Sequence, residues 1–383
     1  MLLLPCWSAA SPLHDIRHLP NAGYIVADES GQINDTYNAD RSLIPASTTK
    51  LVTAWLALNH WGEAHRFTTS IQFNPDTGKL WVKGGGDPFL VSEEIEKMAD
   101  QILALEPKAI TEIVLDVSLF EADLIVPGAT TTNNPYDAVP SAIAANFNTV
   151  YLKRTDGKVI SAEPQTPLTL VAESLANEIE GSSLRINTGR KSDVSGRYFA
   201  QLLASFLRQK GVEVSSKLSW APFPEGQASI IYTNGLTLGE VLKAMLKYST
   251  NFIANQIILT LVAEHTGQAA NFGVVQLYIE EQLHSEFGWT NVAFFEGAGL
   301  STHNQITPRQ LLELVIRFEP WQHLLDEVAT DVFAKTGTLT GVSTLAGFTD
   351  SGKERRAFAI LINENVDAGF TRELASEIAK VRY

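Results

Sequence analysis

Three short motifs follow one another along this chain: Ser47-Thr48-Thr49-Lys50, Ser249-Thr250-Asn251 and Lys335-Thr336-Gly337. Each alone is weak, since any one could arise by chance in 383 residues. The ordered set constrains the fold, because residues this far apart form one chemical unit only where helix starts, loops and a strand converge. Ser-x-x-Lys puts a hydroxyl and an amine about one helical turn apart, roughly 5–6 Å between Cβ atoms. A serine hydroxyl is a poor nucleophile until an adjacent base takes its proton, and a desolvated neutral lysine can be that base. Ser-x-Asn adds a second hydroxyl and an amide. Lys-Thr-Gly adds a cation, a hydroxyl and a bare backbone edge.

The flanking residues give each motif a setting. After Pro45, residues 47–62 carry Leu51, Val52, Trp55, Leu56 and Leu58. This spacing predicts a helix with a broad buried face and Ser47 in its first turn, where unpaired backbone N–H groups favour a developing anion. Leu238, Val241, Leu242, Met245 and Leu246 mark a second helix that runs into Tyr248, so Ser249 and Asn251 fall at its end or in the loop beyond. Residues 332–334 lead into Lys335, and residues 357–362 form a near-continuous apolar run. Both read as strands, with Gly337 open to close approach and the Thr338 N–H available as a donor.

These motifs are the set found in β-lactamases and penicillin-binding proteins, and the chain resembles the low-molecular-mass class C penicillin-binding proteins, the D-alanyl-D-alanine carboxypeptidase/endopeptidases of the bacterial cell wall. The resemblance extends from about Gly23 to about Asn365. It includes Ile44-Pro45-Ala46 before the nucleophile motif, Gly84-Gly85-Gly86-Asp87-Pro88, Asn146-Phe147-Asn148-Thr149, and Glu296-Gly297-Ala298-Gly299-Leu300-Ser301. Thr250, Glu296 and Ala298 stand where the family usually has Asp, Asp and Ser. The middle residue of Ser-x-Asn is not a reacting group, so Thr250 bears on substrate fine-tuning more than on activity.

The implied fold is α+β: a penicillin-recognising, serine β-lactamase-like domain of helix/antiparallel-sheet/helix layers, interrupted by a mostly β inserted region. From Ser47 to Ser249 is 202 residues (249 − 47), far more than one compact domain of this type needs between the motifs. The interval has a hairpin signal at Asp76-Thr77-Gly78, a strand at Ile113-Val114-Leu115, and helical patterns over residues 93–105 and 198–207. The expected organisation is therefore a signal-peptide remnant at 1–10, a catalytic domain from 11–66 plus 230–383, and an insert at 67–229. The insert is expected to be a separately folded module that shapes access for bulky substrates.

Composition excludes some alternatives. A net charge of −14 and the lack of a basic stripe argue against nucleic acid, whose phosphates attract cationic faces. The longest apolar run is far below the roughly 20 residues that span a bilayer, so no transmembrane anchor is expected. Cys6 is the only cysteine, which rules out an intrachain disulfide or a cysteine metal site. It lies in a run of Leu2-Leu3-Leu4 followed by Ser8-Ala9-Ala10 that resembles the tail of a secretory signal and implies export to the periplasm. His14 and His18 have the spacing of a metal pair but Asp15 where the zinc motif has Glu, and they read as solvated polar residues. Asp76, Asp87 and Asp116 read as turns or a strand end, not as a paired-carboxylate site. No metal or organic cofactor is called for.

The resemblance assigns roles residue by residue. Ser47 forms the acyl-enzyme on the carbonyl before a terminal or cross-linking residue of peptidoglycan peptides. Lys50 takes its proton, Ser249 relays a proton to the leaving amine, and Asn251 holds Lys50 and the substrate amide. Lys335 and Thr336 bind the terminal carboxylate, while Gly337 lets the strand approach. The N–H groups of Ser47 and Thr338 form the oxyanion hole, and β-lactam antibiotics act as covalent inhibitors. Two other readings share these motifs. A serine β-lactamase would deacylate penicillin quickly. A non-catalytic wall-binding protein on the same fold would be expected to have lost Ser47, Lys50 or Lys335.

Overall fold

The computed structural model describes residues 11–381 apart from 180, 190, 351 and 353. The proposed signal remnant and Cys6 lie outside the described residues.

The apolar run at Arg355–Ile362 is a strand because both its faces are covered. Phe358, Ile360 and Ile362 join one core while Ala357, Ala359 and Leu361 join another. The alternation follows the two-residue period of a strand. This strand pairs antiparallel with Ala22–Asp28 on one side and Val342–Asp350 on the other. The full six-stranded antiparallel sheet runs Glu327–Ala329, Val332–Leu339, Val342–Asp350, Arg355–Ile362, Ala22–Asp28, Ile33–Tyr37. Ile16, Leu374 and Ile378, from the chain's two ends, cover one face. The larger core on the other face holds helices Thr49–Trp61, Leu238–Tyr248, Asn251–Thr266 and Pro308–Arg317. The middle two have different characters. Leu238–Tyr248 has one apolar face, whereas Asn251–Thr266 is buried continuously from Phe252 to Ala263 and forms the centre of the helical layer.

Residues 68–233 build a second core. A mixed five-stranded sheet runs Leu218–Trp220, Glu112–Asp116, Lys79–Lys83, Thr68–Asn74, Ile230–Thr233. The predicted hairpin is present, with Gly78 at φ +69°. A three-stranded antiparallel sheet is made by Lys158–Ser161, Thr149–Thr155 and Ser183–Asn187. The two longest elements in this stretch are helices, Ser92–Leu103 and Ser192–Gln209, whose Ile95, Met98, Phe199, Leu203 and Phe206 fill the core against the larger sheet. Ile230–Thr233 pairs with Thr68–Asn74, so this sheet takes its last strand from just beyond residue 229.

This second core is seated directly on the central helix. Thr260 donates to the Gly86 carbonyl at 3.0 Å, and Gln256 exchanges bonds with the Ser141 backbone at 2.7 and 3.2 Å. The glycines explain the Gly84-Gly85-Gly86 run. A Cβ would sit 2.4 Å from the Ala142 carbonyl oxygen at Gly84, 2.0 Å from that of Thr68 at Gly85, and 2.1 Å from Thr260 Oγ1 at Gly86. Asp87 follows in a buried position, accepting from Asn234 Nδ2 and the Phe89 N–H, both at 2.8 Å. It thereby ties the start of the insert to its end.

Candidate active site

Ser47 lies in a single 3-10 turn, Ala46–Thr48, immediately before helix Thr49–Trp61, and not in the α-helix itself. The cause is crowding around the turn. Ala46 is held at φ +47°, and two glycines press on the backbone of residues 45–47. A Cβ on Gly299 would come within 1.8 Å of the Ala46 carbonyl oxygen, and one on Gly337 within 2.8 Å of the Ser47 nitrogen. A non-glycine residue in this region persists only when its surroundings over-determine it, a condition that clusters at functional sites.

Lys50 is fully buried, and its ammonium donates to three acceptors: Ser47 Oγ at 3.1 Å, Asn251 Oδ1 at 2.8 Å and the Ala298 carbonyl at 2.6 Å. Burial, reinforced by the Lys335 charge and partly offset by Glu296, brings its pKa down to about 7. Lys335 is also buried, which lowers it to about 8, and it donates to the Thr336 carbonyl at 2.7 Å. These shifts leave one lysine poised to act as a base and the other better able to stay cationic at neutral pH.

Of the remaining motif residues, Asn251 touches Lys50 directly, and the others are placed by the elements that flank it. Helix Leu238–Tyr248 ends at Ser249 in a left-handed conformation (φ +55°), and Asn251 begins helix Asn251–Thr266 two residues later. Reversal of the chain at Ser249 is what aims Asn251 at Lys50. On the other side, strand Val332–Leu339 is braced by Thr344, whose hydroxyl donates to the Pro45 carbonyl at 2.8 Å. Glu327–Ala329 pairs only with Val332 and Phe333, so among the described residues no strand covers the outer edge from Lys335 to Leu339. Thr338 is exposed there, and Thr336 is half-buried. A cleft of about 390 Å³ opens beside this strand, lined by Thr336, Gly337, Thr338, Ser343 and Arg372.

One functional group was not legible in the three motifs. Glu296 is fully buried and accepts from the backbone N–H groups of Ala298, Gly299 and Leu300 at 2.7–2.8 Å, and from Asn304 Nδ2 at 2.9 Å. The carboxylate winds residues 296–301 into a loop that presents the Ala298 carbonyl to Lys50 and Gly299 to Ala46. A buried acid next to glycines was the available signal, but nothing local shows which N–H groups it would collect. Glu296→Ala is expected to cost about 3–5 kcal/mol of stability, within the range for losing one partner of a buried charged network. It should also slow penicillin acylation. Thermal unfolding and stopped-flow labelling of the same preparation would read both. The ring nitrogens of His14 and His18 are 3.5 Å apart, and among the described residues no group of three or more metal-ligating side chains is present.

A family profile described as D-Ala-D-Ala carboxypeptidase 3 (S13) matches residues 10–326 and 325–382. The chain belongs to that family. Its members include relatives similar to this chain across most of their length. The D-alanyl-D-alanine carboxypeptidase DacB of Haemophilus influenzae is 24% identical over 90% of this chain and 85% of its own. Among solved structures, penicillin binding protein 4 from the same organism superposes with a TM-score of 0.77 at 22% identity, covering 96% of this chain and 99% of that one. A predatory peptidoglycan endopeptidase from Bdellovibrio bacteriovorus gives a TM-score of 0.56 at 13% identity, covering 93% and 90%. The penicillin-recognising α+β fold is thus shared, and this S13 chain is a serine peptidase of the D-Ala-D-Ala carboxypeptidase type. No described helix is long and apolar enough to cross a membrane.

Proposed function

We propose that this S13 peptidase acts on peptidoglycan stem peptides through an acyl-enzyme at Ser47, with Lys50 as general base. The observation that carries this reading is the 3.1 Å contact between Ser47 Oγ and a fully buried Lys50 whose pKa is about 7. Neutral Lys50 takes the Ser47 proton as Oγ bonds to the substrate carbonyl carbon. The N–H groups of Ser47 and Thr338 hold the developing oxyanion, where each donor is typically worth about 3–4 kcal/mol. The proton then passes through Ser249 to the leaving amine as the C–N bond breaks. Asn251 keeps Lys50 oriented, and Lys335 with Thr336 receives the substrate's terminal carboxylate. Water, deprotonated by the same lysine, then cleaves the ester and restores Ser47. A β-lactam enters the same path, its ring amide standing in for the peptide bond and its carboxylate meeting Lys335. The wall substrate supports a periplasmic location.

The proposed division is a catalytic part from 11–66 and after about 233, with an insert between them. The boundary moves past 229 because Ile230–Thr233 completes the insert's sheet. The insert also braces the helix that begins with Asn251.

The two lysines imply a bell-shaped pH profile for acylation. The rate should rise through about pH 7 as Lys50 becomes neutral and fall above about pH 8 as Lys335 loses the charge that meets the carboxylate. A rate that stays flat from pH 6 to 9 would contradict these roles. The function itself is tested by incubating the protein with a D-Ala-D-Ala-terminated pentapeptide and with cross-linked muropeptides. Release of D-alanine or of monomers supports it. Rapid steady-state hydrolysis of nitrocefin, with neither peptide cleaved, would assign a β-lactamase instead.

A further inference from the structure

The segment that leads into Ser47 is held residue by residue. Leu43 exchanges backbone hydrogen bonds with Ile306 at 2.9 and 3.1 Å. The Pro45 carbonyl accepts from Thr344 Oγ1 at 2.8 Å and from Thr48 Oγ1 at 2.7 Å. Between them, Ile44 finds both of its backbone partners in one side chain. The Ile44 N–H donates to Asn363 Oδ1 at 2.7 Å, and Asn363 Nδ2 donates to the Ile44 carbonyl at 3.1 Å. The two residues are 319 positions apart. The amide thus acts as an opposing residue does in an antiparallel pair, exchanging an N–H and a C=O bond with one residue. An amide side chain carries the donor and the acceptor in one plane, which this exchange requires.

Asn363 is itself firmly placed. It directly follows strand Arg355–Ile362, and its own N–H donates to the Asn21 carbonyl at 2.7 Å. That bond prolongs the pairing of the strand with Ala22–Asp28 by one residue. The side chain therefore ties an interior strand of the six-stranded sheet to the residue two before Ala46. At φ +47°, Ala46 keeps its conformation only while its neighbours over-determine it. Gly299 and Gly337 press on residues 45–47 from two other elements, and a chain under such pressure relaxes unless it is held upstream. Pro45 has no N–H to be held by, so Ile44 supplies the nearest one before Ala46.

We infer that Asn363 is a positioning residue for acylation: its amide holds Ile44, so that Ala46 keeps its left-handed turn and Ser47 Oγ stays beside Lys50. The inference rests on the reading of Ser47 as the nucleophile. Asn363 takes no part in the proposed proton transfers and acts through the backbone of residues 44–46.

The test follows penicillin acylation over a concentration series. Asn363→Ala should lower the rate at saturating penicillin by about 10²-fold, the cost typical of a reacting atom misplaced by near 1 Å, with the half-saturating concentration unchanged. Asn363→Asp keeps an acceptor for the Ile44 N–H but loses the donor, and should show a smaller loss of the same kind. It carries the same comparison if Asn363→Ala does not fold. Adding Ala46→Gly to the Asn363 variant should recover about tenfold, because glycine adopts positive φ without strain and needs no tether. Met98→Ala, in the core of the insert, should lower the melting temperature yet acylate like the unsubstituted protein. Hydrogen exchange at residues 46–48, measured without penicillin, should quicken in Asn363→Ala. Undiminished acylation, a loss confined to affinity, no recovery with Ala46→Gly, or an equal loss in Met98→Ala would each overturn the proposal. Failure of the peptidase reading would appear separately, as no labelling of the unsubstituted protein at Ser47. Unchanged exchange at residues 46–48 would still count against the tether in that case.

Discussion

Lys50→Arg should lower the rate of penicillin acylation by about 10²–10⁴-fold, the range attributed to a positioned general base. Arginine keeps the charge and much of the length of lysine, but its guanidinium does not deprotonate at accessible pH. The buried site depends on the opposite property. Three acceptors hold the Lys50 amine while burial and Lys335 bring it to about 7, so a sizeable neutral fraction exists at physiological pH. Lys335→Arg is the matched control, since its proposed task is to present a cation to a carboxylate. That variant should retain measurable acylation, with the loss concentrated in substrate affinity. Second-order acylation rates across a penicillin concentration series separate the two. If Lys335→Arg proves the more damaging substitution, the roles of the two lysines are exchanged.

Gly337→Ala should be nearly as severe, although the glycine has no side chain to contribute. Its added methyl carbon would lie 2.2 Å from Thr344 Oγ1, 2.8 Å from the Ser47 nitrogen and 3.0 Å from the Pro45 carbonyl oxygen. Two of those neighbours are backbone, so the strand and the Ala46–Thr48 turn must separate. A displacement near 1 Å at a nucleophile typically costs about 10²-fold in rate. The six-stranded sheet should survive, because Gly337 lies near the end of a strand paired over eight residues with its neighbour. Expected, therefore, are near-native circular dichroism and acylation reduced about 10²-fold. Unimpaired acylation would show that Gly337 does not govern the nucleophile's position.

The parts of this site that sequence made legible are those whose geometry is local. Ser47 and Lys50 are three residues apart, and the helix after them sets their relation. Ser249 and Asn251 flank a helix end marked by the apolar spacing of residues 238–246. The strand beneath Lys335 announced itself through its apolar lead-in. What stayed hidden depends on long-range pairing. The Ala298 carbonyl reaches Lys50 across 248 residues of chain, and Gly299 and Gly337, from two separate elements, approach the same turn. That crowding is why Ser47 occupies a 3-10 turn where helical periodicity predicts an α-helical first turn. The helix over 198–207 extends from 192 to 209 for a simpler reason: its polar first turn carries no apolar repeat. The insert's contact with the central helix was equally hidden, since Gln256 and Thr260 are polar residues in a buried helix whose partners lie more than 100 residues away.

The central claim is that the three motifs form one acylating site centred on Ser47. It is tested most directly by treating the purified protein with benzylpenicillin, digesting it, and locating the penicilloyl group by peptide mass mapping. The account predicts a single adduct on the peptide containing Ser47, absent from Ser47→Ala and strongly reduced in Lys50→Arg. An adduct on any other residue, or equal labelling of the Ser47→Ala variant, would contradict it.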